Sequence, residues 1–162
     1  LSHRQFYCIL LGDDDKHGDH RAELEKLIIH HKLEGNIKIV KHTYDMPAAY
    51  VMSSLVINTA TKPEAFGRIA IEAQAMGVPV IASDHGGAKE TIRDGVTGFL
   101  VPPGDVDALT QKIEEVLAMD KKKIDIIAAS AAQHVREHFS LDQMCKKTLQ
   151  VYRELAKPKR GQ

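Results

Sequence analysis

The sequence predicts an α/β protein built on a doubly wound, Rossmann-like parallel sheet with helices on both faces. Three observations predict it. Short apolar runs recur along the chain, segments with helical spacing separate them, and glycine, proline or aspartate punctuates the junctions. Continuous apolar runs suit strands buried on both faces, as a parallel sheet covered by helices requires.

Residues 6–11 (FYCILL) read as the first strand, ended by Gly12. A polar turn, residues 12–19 (GDDDKHGD), precedes a helix to Leu33 with Leu24, Leu27 and Ile28 on one face and Gly35-Asn36 as its stop. The pattern then predicts a strand at 37–40, a short helix at 46–52 and a strand at 55–58 (LVIN). The next helix begins at Gly67 or Arg68, a strand covers 79–82 (PVIA), and a glycine pair follows at Gly86-Gly87. VTGFLVPPGD, residues 96–105, gives a small strand and a turn, after which Asp105 caps a helix running to about Met119. Helices over 123–138 and 141–155 follow, the last with Ser140 or Asp142 near its start. No repeat or linker divides the chain, so residues 1–162 read as one domain.

With 43% hydrophobic and 27% charged residues, the chain has the makings of a core that needs neither disulfide nor metal. Its 22 basic and 22 acidic residues cancel, which speaks against a nucleic-acid partner. Lys121-Lys122-Lys123 and Lys157-Pro158-Lys159-Arg160 read as solvated helix ends. Cys8 and Cys145 lack metal-ligand spacing and read as buried thiols in a reducing compartment. No apolar run approaches the ~18 residues that span a bilayer, and no signal peptide is recognisable. The start at Leu1-Ser2-His3, immediately before a strand, reads as a piece of something longer.

Doubly wound sheets bind ligands beyond the carboxyl ends of their strands, so the loops after Leu11, Val40, Asn58 and Ala82 are where function is expected. The stretch TKPEAFGRIAIEAQAMGVPVIAS, residues 61–83, is the most informative. It holds Glu64 in a loop and, eight positions later, Glu72 in a helix among Ala70, Ala73 and Ala75, whose small side chains allow tight packing on the sheet. Free N–H groups where the helix starts at Phe66-Gly67 suit a phosphate or carboxylate. Gly67 lets the ligand approach the backbone. An acid at Glu72, close to the strand ends, suits hydrogen bonds from a diol such as ribose. An arbitrary glutamate would count as an exposed helix residue; the company of Pro63, Phe66, Gly67, Gly77, Pro79 and Val80 sets this one apart.

The run EAFGRIAIEAQAMGVPVIASDHGGAKETI, continued by DGVTGFLVPPGD, resembles the C-terminal, nucleotide-sugar-binding domain of retaining glycosyltransferases of family 4, enzymes of GT-B architecture. The shared features are Glu-x7-Glu (Glu64, Glu72), Gly-x-Pro-Val (Gly77, Pro79, Val80), Gly-Gly-x-x-Glu (Gly86, Gly87, Glu90) and Gly-x-x-Gly-Phe-Leu-Val (Gly95, Gly98 to Val101). Upstream, ILLGDDDKHGDHRAELEKL resembles the family's strand, Gly-Asp loop and helix, so the resemblance spans Phe6 to Leu155. The variant is most like bacterial enzymes that build lipopolysaccharide or related surface glycans.

The resemblance implies that Glu72 takes the ribose hydroxyls and that Glu64, the catalytic candidate, faces the donor sugar or reaction centre. It implies that the backbone of Phe66, Gly67, Arg68 and Ile69 holds the donor's phosphates and sugar. Lys41, His42 and Thr43 are the candidates for the base pocket. The implied substrate is a nucleotide-sugar such as a UDP- or GDP-sugar, with no cofactor and no metal. The acceptor, a glycan or lipid-linked glycan, would bind an N-terminal domain absent from this sequence. So is the family's first strand and helix with its Arg/Lys pair, which leaves an open sheet edge and an isolated chain expected to be inactive. A cytoplasmic enzyme, peripheral at the inner face of the membrane, is implied.

Other readings compete. Asp13-Asp14-Asp15 with His17, Asp19 and His20 could hold a divalent ion, although a polar turn fits the family better. A phosphoacceptor receiver domain shares the fold but leaves Glu64 and Glu72 without a role. A non-catalytic nucleotide-binding or regulatory module of the same fold is the remaining alternative. His30-His31 reads as a pair satisfying helix-end carbonyls, His85 as site or scaffold, and Glu90 as a helix-start residue shaping the pocket. The last helix reads as an amphipathic element with an orphan face.

Overall fold

The computed structural model describes residues 5–12 and 19–156. The Asp13-Asp14-Asp15 and His17 reading, the first four residues and the Lys157 to Arg160 run lie outside the described residues. Contacts divide the chain into two compact units, Leu1–Met46 and Pro47–Gln162, each taken by itself.

In the first unit, β1 (Cys8–Leu11) and β2 (Ile37–Val40) pair in parallel, Cys8 opposite Ile37 and Leu11 opposite Val40. The connecting helix, α1 (Asp19–His30), ends earlier than Gly35-Asn36 would have it. Lys32 adopts φ 56°. Its N–H donates to the Ile29 carbonyl, and the Leu33 N–H reaches back to Ile28. This is a Schellman closure with lysine in the place glycine usually takes. Burial on both faces of β1 does not hold: Ile9 is 59% exposed, because no described residue of this unit covers its side of the ribbon.

The second unit opens with most of α2 (Met46–Val51) and carries a three-stranded parallel sheet, ordered β3 (Val56–Asn58), β4 (Val80–Ser83), β5 (Phe99–Val101). The strands are thus parallel and alternate with helices, as the α/β reading requires. Their hydrogen bonds fall in two sheets, with β1 and β3 each paired on one side only among the described residues. The central strand β4 is buried throughout. Ile81 joins Phe99, Val101, Val116 and Ile127 in the main core, with Leu109, Ile113 and Ile124 around them. Each such side chain contributes about 1.5–3 kcal/mol through burial.

Four further helices complete this unit besides α3 (Arg68–Ala75): α4 (Ala88–Thr91), α5 (Val106–Ala118), α6 (Lys121–His138) and α7 (Leu141–Leu155). Asp105, Asp120 and Ser140 cap α5, α6 and α7 through their side chains, each worth about 1 kcal/mol. The Asp120 cap starts α6 two residues before the expected position. Lys121 to Lys123 are exposed there, with Lys121 paired to Asp125, the solvated helix end expected. Cys145 is exposed on α7 rather than buried, and Cys8 is half-buried, its thiol pushed up by burial. No residue of α7 is buried; Leu141, Met144, Val151, Tyr152 and Leu155 remain on the surface, the orphan face the pattern implied.

Candidate functional site

Helix α3 places Glu72, and the loop before it carries Glu64. The helix lies against β3 and β4 and packs along α6. Ala70 and Ala73 are fully buried, as their size allows. Ala75 is exposed instead, and the buried position beside it belongs to Gln74. The Gln74 amide donates to the carbonyls of Ala70 and Thr91, tying α3 to the end of α4.

The helix begins at Arg68, and Gly67 precedes it at φ 75°, a left-handed conformation that disfavours any other residue. Gly67 supplies no side-chain cap. Among the described residues the N–H groups of Arg68 and Ile69 have no backbone acceptor. They leave the positive end of the helix open to an anion, at exposed positions just after the exposed Phe66 ring.

The loop before the helix is clamped by the glycine pair. A Cβ on Gly86 would lie 2.5 Å from the Glu64 carbonyl oxygen, and one on Gly87 would lie 2.5 Å from both the Cα and the carbonyl oxygen of Phe66. The Gly87 N–H donates to the Glu64 carbonyl at 2.8 Å. Only a chain bare of side chains there brings α4 against the loop so closely.

Each acid has a dedicated holder. Asn58, the buried last residue of β3, donates its amide to Glu64 Oε2 at 2.7 Å. Its own Oδ1 is fixed by the Ala60 N–H. The buried Tyr50 hydroxyl donates to Glu72 Oε2 at 2.9 Å. Arg68 donates to Glu72 Oε1 through Nη2 at 2.8 Å and Nε at 3.1 Å. Burial is the largest cause raising the Tyr50 pKa, followed by the hydrogen bond and charge of Glu72, with Arg68 opposing. Glu72 is therefore an anchored acceptor with a third of its side chain exposed rather than a free surface residue.

His85 lines a cavity of about 10 Å³ at the carboxyl ends of β3 and β4, together with Asn58, Glu64 and Ser83, room for about one water. Its Nε2 is buried without a partner among the described residues. Glu90 sits exposed in the first turn of α4. The rings of His30 and His31 pack edge-on against each other.

Glu64, Phe66, Gly67, Arg68, Ile69 and Glu72 thus share one unit and one edge of one sheet. Lys41, His42 and Thr43 belong to the other unit, where the His42 ring meets Tyr44 edge-on and Thr43 Oγ1 accepts from the Asp45 N–H. Sequence reasoning missed Tyr50, Asn58 and Gln74. Asn58 had a signal, a polar end to an apolar strand; Tyr50, 22 residues from its partner, had none. Among the described residues no three His, Cys, Asp or Glu side chains gather to hold a metal, and no helix is long and apolar enough to cross a membrane.

Parallel strands and a site at their carboxyl ends, with an open helix N-terminus and two oriented carboxylates, define a ligand-binding domain of the doubly wound class. The chain belongs to the glycosyl transferases group 1 family, whose model matches residues 1–133. It is 32% identical over 126 residues to the capsular polysaccharide biosynthesis glycosyltransferase CapM of Staphylococcus aureus, covering 78% of this chain and 33% of that protein. A glycosyltransferase from Rickettsia africae superimposes with a TM-score of 0.92 at 38% identity, over 96% of this chain and 41% of the other. HepE of Anabaena, solved in complex with UDP and glucose, gives 0.85 at 32% identity, over 91% and 40%. The parallel sheets flanked by helices match these GT-B glycosyltransferase structures. The chain spans less than half the length of each of these three proteins.

Proposed function

We propose that residues 1–162 form the donor-binding domain of a retaining glycosyltransferase that moves a hexosyl group from a nucleotide-sugar to an acceptor hydroxyl. The observation that carries this reading is the pair of carboxylates at one sheet edge, Glu64 held by Asn58 and Glu72 held by Tyr50. Such anchoring preorganises acceptors for hydroxyl donors. In this reading Glu72 takes the ribose diol, the Arg68 and Ile69 N–H groups take phosphate oxygens, and Glu64 Oε1 faces the donor sugar.

In the proposed transfer the acceptor oxygen bonds to the anomeric carbon on the face from which the diphosphate leaves. The acceptor proton passes to the departing phosphate oxygen, so neither carboxylate acts as a nucleophile, unlike the paired acids of retaining hydrolases. Neither metal nor cofactor enters. Acceptor recognition in the whole protein is proposed to draw on residues beyond the 41% and 40% of its structural relatives' length that this chain spans. Bacterial surface-glycan or lipopolysaccharide synthesis, in the cytoplasm or peripherally at the inner membrane face, is the proposed setting, supported by the motif variant.

Calorimetric or NMR titration with UDP, GDP and ADP tests the reading. One nucleotide binds saturably, and Glu72→Ala weakens it by about tenfold or more, the value of a hydrogen bond to a charged group. Binding indifferent to Glu72 favours the non-catalytic module instead, and no binding of any nucleotide overturns the donor-site reading.

A further inference from the structure

We propose that Arg68 is a displaceable guard on Glu72 that makes the site select phosphorylated nucleotides over the bare nucleoside. This rests on the reading of Glu72 as the ribose acceptor. The two carboxylate oxygens are not equivalent. Oε2 is tied to Tyr50, whose side chain is 5% exposed and belongs to the packed interior. Oε1 receives two N–H donors from Arg68, a side chain that is 82% exposed on the first residue of α3.

An ionised carboxylate offers about four lone-pair positions. Arg68 occupies both on Oε1 and Tyr50 one on Oε2, so a diol donating two hydrogen bonds finds a single vacancy. Ribose therefore binds in full only when at least one Arg68 bond opens. The pair is built to yield. It is exposed, and arginine stands N-terminal to glutamate at i and i+4, the weaker order for a helical ion pair.

Released, the guanidinium remains on the first turn of α3, beside the unbonded Arg68 and Ile69 N–H groups. A nucleoside diphosphate there replaces the lost carboxylate oxygen with a phosphate, which offers the planar fork two oxygens where Glu72 offers it one. A nucleoside breaks the same bonds and returns nothing. Arg68 thus penalises uridine and rewards UDP, a difference that no rigid hydrogen-bond donor at this position would produce.

The test is NMR titration of the protein with uridine and with UDP, comparing wild type, Arg68→Ala and Tyr50→Phe. Arg68→Ala is expected to tighten uridine about twofold, the worth of an exposed helical ion pair, and to weaken UDP about tenfold. The preference for UDP then falls about twentyfold. Tyr50→Phe, which only loosens Glu72, weakens both ligands by a similar factor and leaves the preference intact. If Arg68→Ala changes both ligands equally or neither, the guard is refuted while the donor-site reading stands. If wild type binds neither uridine nor UDP, and neither member of the guanosine/GDP and adenosine/ADP pairs titrated in the same way, the donor-site reading fails and takes the guard with it.

Discussion

Replacing Gly87 by alanine probes the contact that shapes the site. The added Cβ would lie 2.5 Å from Phe66 Cα and from its carbonyl oxygen, where real Cβ atoms essentially never come within 3.0 Å. Both obstacles are backbone, so no rotamer change relieves them and α4 must move off the loop. Overpacking of this kind costs about 1–3 kcal/mol. The Gly87 N–H bond to Glu64, 2.8 Å long and in the same strip, stretches as well, adding about 1 kcal/mol. A loss of about 2–4 kcal/mol corresponds to a fall in Tm of about 5–15 °C for a chain of this size. Scanning calorimetry reads the fall, and UDP titration reads the displaced loop. Gly35→Ala is the control: no atom lies within 4 Å of its Cβ and its φ is ordinary, so its effect stays within about 0.5 kcal/mol. A Gly87→Ala protein as stable as Gly35→Ala, with UDP affinity unchanged, would refute the close-approach argument.

Two further predictions concern pH. The Tyr50 phenol is held above its ordinary pKa by burial first and by Glu72 second, so folding favours the neutral ring. Its contribution is complete below the unfolded value near 10 and is lost as pH rises through the folded value; urea midpoints above pH 10 should fall less steeply in Tyr50→Phe than in wild type. His134 is held below its ordinary pKa by burial, then by Arg93 and His138, with Glu137 opposing, and both ring nitrogens are buried without partners. Its contribution is present above the unfolded value near 6.5 and is lost as pH falls through the folded one. His134→Phe should therefore lose less stability between about pH 7 and pH 5 than wild type, and an identical slope would exclude His134 as the cause.

Much of the fold was legible because its signals are local. Apolar runs at residues 37–40, 55–58 and 79–82 lie within a residue of β2, β3 and β4, and the caps at Asp105 and Ser140 start their helices as expected. Boundaries slipped where a longer-range or unusual device decided them. Lys32 ends α1 in a conformation that a lysine does not advertise. Exposure was misjudged at Ile9, Ala75 and Cys145, because periodicity says which residues share a face but not whether anything covers it.

The candidate site divides along the same line. Glu64, Phe66, Gly67 and Glu72 stood out because a helix start and two acids at a fixed spacing are written in contiguous residues. The holder of Glu72 was invisible there, since Tyr50 reaches it across 22 positions, and Gly87 meets Phe66 only because α4 folds back over the loop. By itself, then, the sequence determined the alternation of strand and helix, the place of Glu72 on α3 and that of Glu64 in the loop before it. Tertiary structure alone decided that Tyr50 holds Glu72 and that Asn58 holds Glu64, because hydrogen bonds between distant side chains depend on packing that no local pattern encodes.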